Sequence, residues 1–222
     1  MPIALVTGAN RGIGLELCRK LRDKGWDVIG TSRRDAPELE EIGVRVERLE
    51  VTDQSSIDAL IGSLRAAGID HLDLLVNNAG ILVRDRLEDL RPEEISEQFE
   101  VNAVGPLRLV AALLPFLKEG SKVAMITSRM GSIADNGSGG YYGYRMSKAA
   151  LNAASVSLAL DLRDRGIAVV ILHPGFVKTG MTGGQGDVTP DVSASRLLDR
   201  IDELTMESSG TFRHANGEEL PW

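Results

Sequence analysis

Short apolar runs alternate along this chain with longer stretches whose apolar positions recur every three or four residues. Ile3 to Thr7 is apolar, leads into glycine, and predicts a buried strand. Ile13, Leu17 and Leu21 then share one helical face. Trp26 to Thr31 predicts a second strand, and the alternating segment Val44 to Val51 a third. Thr52 or Asp53 can cap a helix running to about Ala67. Leu72 to Val76 predicts strand four. Pro92 suits the first turn of a helix that extends to about Lys118, with an adjustment near Gly105 and Pro106. Lys122 to Thr127, Tyr141 to Arg165 and Ile167 to Leu172 predict strand, long helix and strand. The Gly- and Thr-rich segment Thr179 to Pro190 reads as a mobile loop. A helix from Pro190 to Met206 and a strand from Gly210 to Arg213 complete the pattern.

Strands that alternate with helices predict a parallel sheet covered on both faces. Right-handed crossovers make that sheet doubly wound and Rossmann-like. The chain shows no internal repeat, low-complexity segment or linker. The expectation is one seven-stranded α/β domain over residues 1–222, with a cofactor half to about residue 120 and a catalytic half after it.

Composition narrows the function. A formal net charge of -7 supplies no basic footprint, which argues against a nucleic-acid partner. Cys18 is the single cysteine, so no intrachain disulfide forms, as suits a reducing compartment. The longest apolar run, Leu109 to Leu117, contains Pro115 and is too short to span a membrane. MPIALVTG has no charged leader region. These features predict a cytoplasmic protein. His71, His173 and His214 lack metal-ligand spacing, so no metal is expected.

The segment TGANRGIG places Gly8, Gly12 and Gly14 between the first strand and the first helix. Glycine lets backbone approach a pyrophosphate closely at the positive end of a helix. A bare tight turn would use glycine too, but the position in an alternating chain favours a dinucleotide. Ser32, Arg33 and Arg34 follow the second strand, and Arg11 sits inside the loop. Arginine there favours the 2′-phosphate of NADP, while nearby Asp35 pulls towards NAD. NADPH is the expected cofactor.

The stretch YYGYRMSKAA holds three tyrosines and one lysine. On a helix, Tyr144 shares a face with Lys148 one turn later, whereas Tyr141 faces Arg145 and Tyr142 faces Met146. A phenol titrates near pH 10 in water, and an adjacent ammonium favours its ionised form (about 10). Such a tyrosine can protonate a carbonyl oxygen. Ser128 follows the fifth strand, where a hydroxyl can hydrogen-bond a substrate oxygen.

TGANRGIG, NNAG at 77–80, Asn102 in VNAVGP, Ser128, YRMSK at 144–148 and HPGFVKT at 173–179 occur in the order found in short-chain dehydrogenase/reductases. The resemblance spans nearly the whole chain. YRMSKAALNAAS, HPGFVKTGM and the closing GTFRHANGEELPW resemble the C-factor-like and sniffer-like carbonyl reductase branch. The resemblance implies that Tyr144 is the acid/base, that Lys148 lowers its pKa and holds the nicotinamide ribose, and that Ser128 orients the carbonyl. Asn102 would sit at a helix distortion and support a proton relay. Gly8, Asn10, Arg11, Gly12, Ile13, Gly14, Arg33, Val51, Asn77, Ala79 and Gly80 would serve the adenosine and pyrophosphate. Pro174, Gly175, Val177 and Thr179 would pack on the nicotinamide.

The chain departs from the family pattern in places. Ser128 and Tyr144 are sixteen positions apart, so Asp135 to Gly140 must bulge. Glu50 stands where Asp or Asn commonly meets adenine, and Gly180 replaces a commonly acidic residue. Met130, Ile133, Tyr141, Phe176 and Met181 are candidate apolar walls for a carbonyl substrate. The helices at 93–118 and 141–165 commonly form a dimer face in the family, so a homodimer or homotetramer is expected. The combined expectation is NADPH-dependent reduction of aldehydes, ketones or quinones. The alternative is a dinucleotide-binding, C-factor-like signalling protein with little or no turnover.

Overall fold

The computed structural model describes all 222 residues. Its strands are β1 (Ile3–Val6), β2 (Asp27–Ser32), β3 (Arg45–Arg48), β4 (Leu72–Asn77), β5 (Leu117–Ile126), β6 (Ala168–His173) and β7 (Phe212–His214). They form one sheet in the order β3-β2-β1-β4-β5-β6-β7. Every pairing is parallel. The order reverses between β1 and β4, and a crevice opens there beyond the carboxyl ends of the strands.

Seven helices connect the strands: α1 (Gly12–Asp23), α2 (Pro37–Glu41), α3 (Gln54–Ala66), α4 (Pro92–Phe99), α5 (Gly105–Leu113), α6 (Tyr142–Asp161) and α7 (Pro190–Asp202). Side chains alternate across each strand, so the sheet feeds two cores. Ala4, Val6 and Val28 pack with Leu17, Leu21 and Leu197 on one face. Leu5, Leu75 and Val123 pack with Leu60, Leu109 and Leu151 on the other. Cys18 is buried in the first core, and burial pushes its thiol up to about 12.

Several elements differ from their sequence-based bounds. The helix expected from Pro92 to Lys118 is α4, a π-helical turn at Glu100–Val104, α5, and a 3₁₀ turn at Leu114–Phe116. Pro115 has no amide to continue the α-helical ladder. The chain is already in β5 at Leu117, where the Ser121 hydroxyl bridges the Lys118 amide and the Leu72 carbonyl across a bulge. Pro92–Phe116 is long and apolar enough to cross a membrane by those measures alone. Here Val101, Leu109, Val110 and Leu113 are buried in the second core.

The third strand spans only Arg45–Arg48, at the sheet edge. The long helix starts at Tyr142 and ends at Asp161, with a 3₁₀ turn after it. Helix α7 stops at Asp202, where the Lys122 ammonium caps the carbonyls of Ile201 and Asp202. The segment read as a mobile loop is tied down. Thr179 and Thr182 form a reciprocal cap around a 3₁₀ turn, and Val177 pairs with Val188.

Candidate active site

A cleft of about 560 Å³ runs along the carboxyl ends of the strands. At its centre, β1 turns into α1 through the glycine loop. Gly8 and Gly12 hold left-handed backbone angles (φ 62° and 56°). A β-carbon on Gly8 would lie 2.9 Å from Ala79 Cα, and one on Gly14 would collide with the Gly8 carbonyl oxygen. These two glycines therefore make the turn itself possible. A β-carbon on Gly12 would make only ordinary contact with Thr179 Cγ2, at 3.4 Å, so it is the left-handed angle that calls for glycine there. No acidic residue lies in the first turn of α1, whose amides meet the cleft. Asn78 pins the loop, its Nδ2 donating to the carbonyls of Thr7 (2.9 Å) and Gly8 (3.2 Å).

One end of the cleft is cationic. Arg11, Ser32, Arg33 and Arg34 line it. Glu50 sits beside them, its Oε2 3.5 Å from Arg33 Nη1 and its Oε1 accepting from the Thr52 hydroxyl. A glycine turn, helix amides at the cleft and arginines along its lining suit a dinucleotide bearing phosphates.

Tyr144 and Lys148 lie at the other end of the cleft, on one face of α6. Lys148 Nζ is 5.9 Å from the centre of the Tyr144 ring and donates to the Ile126 carbonyl at 3.0 Å. Burial pushes the Tyr144 phenol up to about 12, and a hydrogen bond from the Ser128 hydroxyl offsets only part of that. Burial pushes the Lys148 ammonium down to about 8. The expected depression of the phenol by lysine is thus not a property of the protein alone. Both groups lose water on folding, and each loss disfavours the charged form.

Asn102 lies in the π-helical turn and is fully buried. Its Oδ1 accepts from the Ile81 amide, and its Nδ2 donates to the Ile81 carbonyl and the Ser147 hydroxyl. The side chain braces the strap after β4 against α6. Gly80 keeps this corner open, since a β-carbon there would lie 3.0 Å from Asn102 Oδ1 and 3.7 Å from Lys148 Nζ.

A family profile described as short chain dehydrogenase matches residues 2–189. The chain belongs to the short-chain dehydrogenase/reductase family. Among curated relatives, it is 41% identical over 227 aligned positions to 1-hydroxy-2-glutathionyl-2-methyl-3-butene dehydrogenase of Rhodococcus sp. strain AD45, covering 100% of both chains. It is 46% identical to the C-signal protein of Myxococcus xanthus over 154 positions, 68% of this chain and 93% of that one. Among solved structures, the carbonyl reductase Sniffer of D. melanogaster superposes with a TM-score of 0.92 at 31% identity, over 100% of this chain and 99% of that one. An NADPH-bound carbonyl reductase from chicken fatty liver has a TM-score of 0.92 at 33% identity, over 100% of both. The chain therefore falls in the C-factor-like and sniffer-like part of the family, whose structural neighbours bind nicotinamide dinucleotides.

The cleft of this dehydrogenase/reductase gathers most of the expected cofactor residues: Gly8, Asn10, Arg11, Gly12, Ile13, Arg33, Val51, Ala79, Gly80, Tyr144, Lys148, Pro174 and Thr179. Four others face elsewhere. Gly14 is packed inside the turn, and Asn77 Nδ2 points to Met125 Sδ at 3.3 Å. Gly175 lies against Val188 and His214, and Val177 is buried. Of the candidate substrate walls, Met181 lines the cleft, whereas Met130, Ile133, Tyr141 and Phe176 do not. Ile133 is 83% exposed. Ser128 follows the cleft residue Thr127, is buried, and accepts from the Met130 amide at 3.1 Å. Sequence reasoning passed over Asn78 and Ile81. The doubled asparagine of NNAG was the available signal for the first.

Proposed function

We propose that this dehydrogenase/reductase uses NADPH to reduce aldehyde, ketone or quinone carbonyls. The observation that carries the reading is the Tyr144 phenol beside Lys148, in a cleft whose far end bears Arg11, Arg33 and Arg34. Reduced nicotinamide, when bound, supplies hydride. Ser128 orients the substrate oxygen, and Tyr144 gives it the phenolic proton. The Lys148 ammonium then stands beside the phenolate that remains. At neutral pH a lysine held at about 8 is mostly protonated, so it carries that charge when needed. Oxidation of an alcohol, the direction named for the Rhodococcus relative, uses the same residues in reverse.

Arg33 and Arg34 favour NADPH over NADH, because a guanidinium pairs with a 2′-phosphate through parallel hydrogen bonds. Exposed Phe99, Leu107, Met146 and Leu160 on α4, α5 and α6 support a homodimer through these helices.

The test is loss of NADPH or NADH absorbance against a panel of aldehydes, ketones and quinones, with wild type and Tyr144→Phe. Turnover with NADPH that disappears in the variant supports the reading. Turnover that survives removes Tyr144 as the acid. Similarity to C-signal motivates a second reading, dinucleotide binding in signalling. NADPH binding with no turnover of any carbonyl would favour it.

A further inference from the structure

Gly139, Gly140 and Tyr141 all adopt left-handed backbone angles (φ 64°, 62° and 53°) immediately before α6. Two glycines take this conformation easily, but Tyr141 pays a steric cost. The chain thereby swings abruptly into the helix that carries Tyr144 and Lys148. The first amides of a helix have no partner within it. Here α6 has no side-chain cap from its own segment.

Asp85, in the strap between β4 and α4, takes all three amides at this entrance. Its carbonyl accepts from the Tyr141 amide at 3.2 Å. Its Oδ1 accepts from the Tyr142 amide, and its Oδ2 from the Gly143 amide at 2.9 Å. Asp85 is itself buried, 7% exposed. The strap behind it is held at alternate residues: Ile81 by Asn102, and Val83 by the Gln98 side chain at 2.9 Å. Gly143 admits the close approach, since a β-carbon there would lie 2.5 Å from Gln98 Nε2 and 3.1 Å from Ile95 Cα.

We propose that Asp85 is a positioning residue for the reaction, acting through the start of α6 to set where Tyr144 and Lys148 stand. This rests on the reading of Tyr144 as the acid. The carboxylate meets no reacting atom. It fixes the helix entrance, and with it a phenol that lies within one turn of the anchored amides. A carboxylate is also the favoured charge at a helix N-terminus, so the anchor is electrostatic as well as geometric. Proton donation is sensitive to such placement, and misplacing a reacting group by about 1 Å can cost roughly a hundredfold in rate.

The test uses full-length Asp85→Asn and Asp85→Ala beside wild type and Tyr144→Phe. Three quantities are measured: kcat and KM with NADPH and the best carbonyl of the panel, NADPH affinity by fluorescence, and amide hydrogen exchange of peptides covering 141–148. We expect kcat to fall about tenfold or more in Asp85→Ala, with NADPH affinity within about threefold of wild type. Asp85→Asn keeps one acceptor and falls between. Exchange at 141–143 should quicken in both, while the peptides of α1 stay unchanged. A residue that merely stabilised the fold would lower the melting temperature and leave kcat of the folded enzyme unchanged. Unchanged kcat in Asp85→Ala beside an inactive Tyr144→Phe overturns the proposal and leaves the reductase reading standing. If wild type turns over no carbonyl, the reductase reading fails, and the claim that Asp85 positions a reacting tyrosine fails with it. Unchanged exchange at 141–143 overturns the positioning role in either case.

Discussion

Asn102 donates from Nδ2 to the Ser147 hydroxyl at 3.0 Å, joining the π-helical turn to the helix that carries Tyr144 and Lys148. Ser147 in turn donates to the Tyr144 carbonyl at 2.8 Å. Replacing Asn102 with Leu leaves the partly buried Ile81 amide and carbonyl without their partners. A fully buried orphan costs about 1–3 kcal/mol, and with both groups partly open to the cleft a total loss of about 1–3 kcal/mol is expected. Urea unfolding measures it. Activity should fall beyond the loss of folded protein, because the strap and α6 are released together.

Arg33 and Glu50 approach to 3.5 Å at the cationic end of the cleft. Both are partly exposed, so the pair is weak. On the proposed NADPH reading its consequence is for cofactor choice, since Glu50 would repel a 2′-phosphate and occupy the arginine proposed to receive it. Glu50→Gln should lower KM for NADPH by about two- to fivefold and change that for NADH less. Arg33→Ala should raise KM for NADPH by about tenfold or more, the worth of a charge-assisted hydrogen bond. Initial rates with both cofactors decide. Equal effects on NADPH and NADH would remove these residues from cofactor selection.

Burial alone holds the Tyr144 phenol high and the Lys148 ammonium low. Without cofactor, the phenol should stay protonated until about pH 12, as read from the ultraviolet difference between wild type and Tyr144→Phe. A bound oxidised nicotinamide adds positive charge nearby and favours the phenolate. Saturating NADP⁺ should therefore move the titration to lower pH.

His173 packs edge-on against His214, with ring centres 4.8 Å apart. Burial, then the charges of His214 and Arg129, push His173 down to about 3. The unfolded chain therefore binds a proton near pH 6.5 that the folded chain refuses. This contribution is whole above pH 6.5 and is lost as pH falls from 6.5 towards about 3. Going from pH 7 to pH 5 should cost about 1–2 kcal/mol through this residue. Melting temperatures at the two pH values report it. His173→Gln should show a smaller drop than wild type.

Much of the fold was legible from the chain. Buried strands read as apolar runs, and Leu17, Cys18 and Leu21 read as one helix face that does enter the core. The glycine loop and the spacing of Tyr144 and Lys148 were legible for the same reason: a turn or a shared helix face depends on residues within a few positions of each other. The bounds that shifted, at Leu117 and Asp202, were set by partners far away in sequence. Ser121 bonds across to Leu72, and Lys122 reaches the end of α7.

The chemistry of the site divides in the same way. The sequence by itself determined the alternation, the parallel sheet, and which side chains face one another along α6. Only the tertiary structure decided the state of those side chains. Desolvation depends on everything packed around a group, so neither the raised phenol of Tyr144 nor the lowered ammonium of Lys148 follows from their spacing. The same holds for Asp85. Nothing in RDRLEDL marks one carboxylate among its neighbours, and folding alone brings it to amides 57 and 58 positions away. Local periodicity is written in the order of residues, whereas hydrogen bonds between distant segments exist only after the chain has collapsed around them.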